Sequence, residues 1–440
     1  MKHLHAKMTT IPAPTPILIA EEAIMRTHAQ STRIIWAAAI GNALIMYDFT
    51  VYSFSAVTIG HLFFPSGSAL ISLLLSLATF GSGFIVRPLG ALFIGHLADR
   101  KGHRAGLVCS TSLMMLGTTI IVFIPSYATI GSVATVILVL ARLMQGFAAG
   151  GEVGVSSVVL MELAAKDQRC YVTSWRGASQ GAAALAGALV GACVTLAFTP
   201  ATVQHWAWRI PFMLGMLIGP VGWYLRRHMV QAPSSARPRA TLKQVFVQYP
   251  RALWFGMLLM AAPTASIYIV VFYMPTYLVT VLHLPPIFSL LAVCFASAVI
   301  FIGTPLLAKI ADRQRRRKPI QLMMLLMSIM LVYPAFLALT HGIGELDSLL
   351  VICAYAAVAL SNAGVNSVMV LEAFPSRFRA SGISITYSFG VMIFGAFSPV
   401  IVTWLIHATG NPMAPAWYLL AALCISLFAL IRFPATLEED

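Results

Sequence analysis

Four charged residues stand inside long apolar stretches of this chain: Asp48, Arg87, Arg142 and Glu152. A charge in hydrocarbon costs roughly 2.5–3.5 kcal/mol on insertion scales, so such residues are candidates for function. Two buried guanidiniums suit an anion, because the arginine fork meets a carboxylate with paired hydrogen bonds. Asp48 and Glu152 are then the candidate proton carriers. Desolvation favours a neutral carboxyl and a nearby arginine favours the charged form, so an arriving anion can change protonation. The alternative is structural: Asp48 paired with one arginine and Glu152 with the other.

Neutral candidates surround these four. Gln145 lies one turn beyond Arg142 and Gln180 lies on the next apolar stretch, both placed to hydrogen-bond a substrate. The second half of the chain has no mid-stretch charge, and its polar candidates are Tyr268, Tyr273, Asn362, Asn366 and Tyr387. Tyr273, Asn362 and Asn366 are read as substrate-facing, against ordinary interhelix hydrogen bonding. The second half is thus expected to be the neutral wall of an asymmetric cavity. Arg176 is less telling: it lines the inner mouth of that cavity or snorkels to headgroups.

A second set of residues repeats. Leu97-Ala98-Asp99-Arg100 recurs half a chain later as Ile310-Ala311-Asp312-Arg313, each between two apolar runs. Glu162 with Arg169, and Glu372 with Arg379, keep the same spacing in step with it. Two unrelated markers repeating together indicate a duplicated architecture. In the first loop Gly95 is expected to let two helices approach, Asp99 to cap or bridge a neighbouring helix end, and Arg100 and Arg104 to supply cations. With Asp312 and Arg313 in the second copy, and the two Glu/Arg pairs, these form an expected latch that breaks and re-forms as two bundles rock.

The positioning elements follow from composition. The chain is 59% hydrophobic and 10% charged, against about 25% charged in globular proteins. About twelve stretches reach the roughly 20 apolar residues a membrane span needs. In the first half they are 34–60, 69–97, 106–125, 130–160, 172–198 and 207–227. In the second they are 250–282, 287–309, 319–340, 348–371, 380–408 and 414–433. Each should be helical, because lipid offers backbone groups no partners. The expected organisation is a tail at 1–33, six-helix bundles at 34–228 and 250–433, a basic, proline- and serine-rich linker at 229–249, and a tail at 434–440.

Lysine and arginine gather in alternate loops, which predicts both termini on the cytoplasmic side of a multi-pass protein in a bacterial inner membrane. Arg209 is the exception. Topology also accounts for the net charge of +14: it is spread over loops with no basic-aromatic module, so nucleic acid is not an expected partner, whereas anionic lipid is. The six cysteines are scattered singly, which predicts neither a disulfide framework nor a metal site. No nucleophile–base spacing appears, so no enzyme, catalytic residue or cofactor is expected.

Ordered motifs then give a resemblance. Gly41-Asn42 with Tyr47-Asp48-Phe49, Arg87-Pro88-Leu89-Gly90, the Asp99 loop, Arg142-Leu143-Met144-Gln145-Gly146, Gly150-Gly151-Glu152 and Trp208-Arg209-Ile210-Pro211-Phe212 cover the first half. Asp312-Arg313, Glu372 with Pro375 and Arg379, and Pro399 extend it into the second. In these the chain resembles the metabolite–proton symporter branch of the major facilitator superfamily. Phe63-Phe64-Pro65, Phe80-Gly81-Ser82-Gly83-Phe84 and Thr173-Ser174-Trp175 are closest to its citrate and tricarballylate symporters.

The resemblance implies an all-α integral membrane fold of twelve helices in two pseudo-symmetric six-helix bundles. It also implies alternating-access transport of a small carboxylate anion with protons, by a monomer. Ile45-Met46 occupies a place where the branch usually carries an acid, so either Asp48 acts alone or the proton coupling is altered. Arg176 replaces a glutamine of the citrate-like pattern. The rival readings are an efflux antiporter for drugs or a carboxylate siderophore, a symporter of zwitterionic osmolytes, and a non-transporting sensor.

Overall fold

The computed structural model describes residues 16–101, 103–227, 242–314, 316–342, 344–375 and 378–433. Eleven helical stretches among them are long and apolar enough to cross a membrane. In chain order the spans are α1 (Ile35–Phe54), α2 (Ala69–Leu97), α3 (Arg104–Phe123), α4 (Ser132–Met161) and α5 (Arg169–Ala197). The helix α6 (Arg209–Arg227) follows; it packs on α3 and α1 in the place of the remaining span. The second half supplies α7 (Pro250–Thr280), α8 (Pro286–Asp312), α9 (Lys318–Thr340), α10 (Glu345–Glu372), α11 (Ser381–Thr409) and α12 (Ala414–Arg432). The structure thus has the expected all-α, twelve-helix, two-bundle architecture. The helix of α1 also runs back to Pro16, into the segment read from sequence as a tail.

Glycine decides how the first bundle closes. A β-carbon on Gly146 of α4 would sit 1.7 Å from the Gly83 carbonyl oxygen of α2, and one on Gly150 would sit 2.0 Å from that of Arg87. The helices therefore touch backbone to backbone, as small residues permit in membranes. This contact brings Arg87 and Arg142 into one layer. Gly95 does not serve this purpose: a β-carbon there would meet nothing within 4 Å. The expected close approach at Gly95 is replaced by the one at Gly83 and Gly146, about three turns deeper.

Several spans are interrupted, and the interruptions cluster around the middle. α2 breaks at Val86, because Pro88 has no N–H and its ring disturbs the preceding turn. Arg87 therefore begins a new helical segment. α7 changes segment at Met260 and continues as a π-helical turn over Tyr268–Tyr273, and α10 breaks at Ser361–Asn362. Freed backbone groups are met by neighbours: Ser426 of α12 accepts from Ala262 N at 2.8 Å and donates to the Leu258 and Leu259 carbonyls at 3.1 Å.

The halves meet mainly through α5 and α8, with α5 on α10 and α4 on α11 beside them. On α6, Arg209 donates to the Val122 and Ile124 carbonyls at 2.9 Å each, capping the end of α3 with a cation.

Candidate functional site

Arg142 is fully buried and Asp48 nearly so, yet they do not meet directly. Arg142 Nη1 donates to Gln145 Oε1 at 2.6 Å, and Gln145 Nε2 donates to Thr118 Oγ1 at 3.0 Å. Thr118 Oγ1 in turn lies 2.5 Å from Asp48 Oδ2. The acid and the cation are thus the ends of one four-residue chain across α1, α3 and α4. Two neutral links keep them coupled without collapsing into an ion pair, so the direct pairing open from sequence is not what Asp48 makes. Its other oxygen, Oδ1, has no hydrogen-bond partner. It faces a small cavity lined by Gly41, Ile45, Met114, Gly215 and Gly219. Ile45 therefore contributes an apolar wall beside the acid.

The arginines keep unused donors. Nε and Nη2 of both Arg87 and Arg142 carry no hydrogen bond. Aromatic faces hold them instead. The Arg142 guanidinium lies 4.3 Å from the Tyr52 ring centre and 4.6 Å from that of Phe49, and Arg87 lies 4.7 Å from Phe84. Such contacts offset part of the burial cost but leave the fork's hydrogen-bonding edge free. Phe80 and Phe84 then meet Tyr268 and Phe272 of the other half, with ring centres 5.4–5.9 Å apart. An aromatic seam therefore shuts across the arginine layer. Glu152 is also buried, about three turns beyond Arg142 along the same helix α4.

The remaining sequence candidates separate. Gln180 and Asn366 line a cleft between the halves, together with Arg176, Thr264, Ile300 and Tyr387. Asn362 is buried at the α10 break. Tyr273 faces its own half, where its hydroxyl accepts from Thr403 Oγ1 at 2.9 Å. Three contributors were not among the sequence's site residues. Thr118 carries no sequence signal, since a membrane threonine commonly bonds its own helix, as this one also does to Met114. Arg176 and Tyr387 were each visible, but only the fold joins them across the halves, with guanidinium and ring centre 4.8 Å apart.

At the end bearing the basic loops, the second copy of the repeat crosses between halves. Asp312 of α8 accepts from Cys170 N at 2.9 Å and Tyr171 N at 2.8 Å. It therefore caps the N-terminus of α5, where free N–H groups and the helix dipole favour a carboxylate. Glu372 of α10 pairs with Arg169 at 3.1 Å and with Arg317. Arg379 donates to the Leu371 and Phe374 carbonyls. Arg104 and Arg313 are exposed. The side chains of Asp99, Arg100 and Glu162 lie outside the described residues.

Comparison with known proteins agrees with this architecture. The family model for the Major Facilitator Superfamily matches residues 38–369. The citrate-proton symporter of Klebsiella pneumoniae is 36% identical over 391 residues, covering 87% of this chain and 88% of its own. The proline/betaine transporter of Escherichia coli K12 is 29% identical over 421 residues, covering 92% and 83%. Among solved structures, the xylose transporter of E. coli in a partially occluded inward-open conformation superposes with a TM-score of 0.76 at 16% identity. That match covers 94% of this chain and 99% of the other.

Proposed function

This chain belongs to the Major Facilitator Superfamily, and from that premise we propose that it is a secondary active transporter of a small carboxylate anion. The substrate class is a citrate-like tri- or dicarboxylate moved with protons by alternating access. The observation that carries this reading is the buried chain from Asp48 through Thr118 and Gln145 to Arg142, ending on a guanidinium with unused donors.

A carboxylate docking on the free edges of Arg142 and Arg87 competes with Gln145 for the fork. Gln145 then re-orients, Thr118 loses its incoming hydrogen bond, and the proton affinity of Asp48 changes. Substrate and proton are thereby linked through neutral groups. Glu152 is the second proton carrier on the same side of the site. Asn362 and Asn366 present carboxamides from the second half, and Gln180 does so from the first.

The units at 34–228 and 250–433 rock about this layer as a monomer in a bacterial inner membrane, with both termini and the basic loops on the cytoplasmic side. The cap of Asp312 on α5 and the Arg169–Glu372–Arg317 cluster hold the cytoplasmic end shut. They must part for release on that side. The aromatic seam over Phe80, Phe84, Tyr268 and Phe272 must open before substrate reaches Arg142.

The E. coli relative named for proline and betaine raises the zwitterion alternative. Quaternary ammonium groups are bound by open aromatic faces. Here Phe49, Tyr52 and Phe84 already carry arginine, which favours an acid. The test is direct binding of citrate, glycine betaine and a lipophilic cation to purified protein by titration calorimetry. Citrate should bind and the other two should not. Betaine or the lipophilic cation binding without citrate would replace this reading.

A further inference from the structure

Arg176 is the buried cation that this mechanism leaves unused. It lies about two turns into α5, is 8% exposed, and its Nη1 has no hydrogen-bond partner. It lines the cleft between the halves with Gln180 and Asn366. Gln180 Nε2 and Asn366 Nδ2 reach methionine sulfurs at 3.7 Å, and thioether sulfur is a weak acceptor; the Tyr387 hydroxyl is a stronger group that Gln180 and Arg176 both approach. One guanidinium and two carboxamides thus converge with donor capacity to spare, and no acidic side chain among the described residues lines the cleft. A carboxylate is the ligand such a wall complements.

The same ring joins this cleft to the arginine layer. Tyr387 of α11 has Arg176 at 4.8 Å from its ring centre and Arg87 at 5.8 Å. Two guanidiniums on one phenol are close enough for a single small polyacid to reach both. A molecule with one carboxylate can satisfy only one of them.

We propose that Arg176, with Gln180 and Asn366, is the subsite for a second carboxylate of the substrate, and that it sets a preference for di- and tricarboxylates over monocarboxylates. This rests on the carboxylate reading above. It assigns Arg176 to specificity, whereas Arg142 serves coupling.

Calorimetric titration of citrate, succinate and lactate into wild type, Arg176→Gln and Arg176→Lys tests it, with melting curves recorded for each. Loss of a charge-assisted pair should lower the citrate-to-lactate affinity ratio by about tenfold or more in Arg176→Gln. Arg176→Lys should fall between, keeping the charge but not the fork. An unchanged ratio in a variant that melts like wild type overturns the subsite while leaving the transporter reading intact. Wild-type protein that binds none of the three acids overturns both. Should Arg176→Gln fail to fold, Asn366→Ala carries the same test. A ratio lowered by about threefold supports the subsite, and an unmoved one overturns it.

Discussion

The two halves of the molecule share a fold and divide the chemistry. Among the described residues, every buried mid-span charge lies in the first: Asp48 on α1, Arg87 on α2, Arg142 and Glu152 on α4, and Arg176 on α5. The second presents Tyr268, Tyr387, Asn362 and Asn366, together with a π-helical turn and a broken α10. Irregular turns of this kind often occur at functional sites. The difference follows from what each task needs. Coupling a proton to an anion requires fixed charges at short separations, and the backbone contact of α2 on α4 fixes them. Helix breaks occur in both halves, at Val86 beside Arg87 as well as in α7 and α10, so what sets the second half apart is that its breaks carry neutral side chains. On the proposed reading, duplication supplied two similar scaffolds, of which one carries the charges and the other a neutral wall.

That division can be broken most severely at Arg142. Arg142→Ala should reduce saturable uptake by at least about a hundredfold while the protein still expresses and folds; normal uptake would end the asymmetry argument. Next in size is Asp48→Asn, which should abolish accumulation driven by a proton gradient while counterflow exchange of substrate persists. Loss of both activities together would instead make Asp48 a packing residue. Thr118→Val removes the link between them and should lower gradient-driven uptake by about tenfold, with Thr118→Ser restoring most of it. By contrast Asn362→Ala, on the neutral wall, should weaken substrate affinity only about three- to fivefold. An effect as large as that of Arg142→Ala would mean that the second half also anchors the substrate.

Smaller still is the effect at the basic-loop end. Asp312→Asn weakens a cap whose loss is worth about 0.5–2 kcal/mol. It should raise the labelling rate of the buried Cys170 by a membrane-impermeant maleimide several-fold without abolishing transport. An unchanged rate would show that the Asp312 cap does not hold that end closed.

Much of this was legible before the structure. Span boundaries came within a few residues for most helices, because apolar length alone determines them. Gly146 and Gly150 stand four residues apart in the sequence, the spacing of a small-residue packing face. Relationships between elements were not legible. Duplication made Arg169 the counterpart of Arg379 and Glu372 the counterpart of Glu162, but gave no sign that the fold pairs Arg169 with Glu372 across the interface. Gly95 sat in the right loop but faces no neighbour. Thr118 is one threonine among many until α3 meets α1. Arg176 could not be distinguished from a snorkelling residue until Tyr387 arrived from the other half.

The central claim is that one half couples a proton to a carboxylate through Asp48 and Arg142. Purified protein in liposomes, given labelled citrate with and without an inward proton gradient, tests it most directly. The account predicts accumulation above equilibrium only with the gradient, collapsing when a protonophore is added. Uptake that reaches the same level with and without the gradient, in protein whose citrate binding is intact, would contradict it.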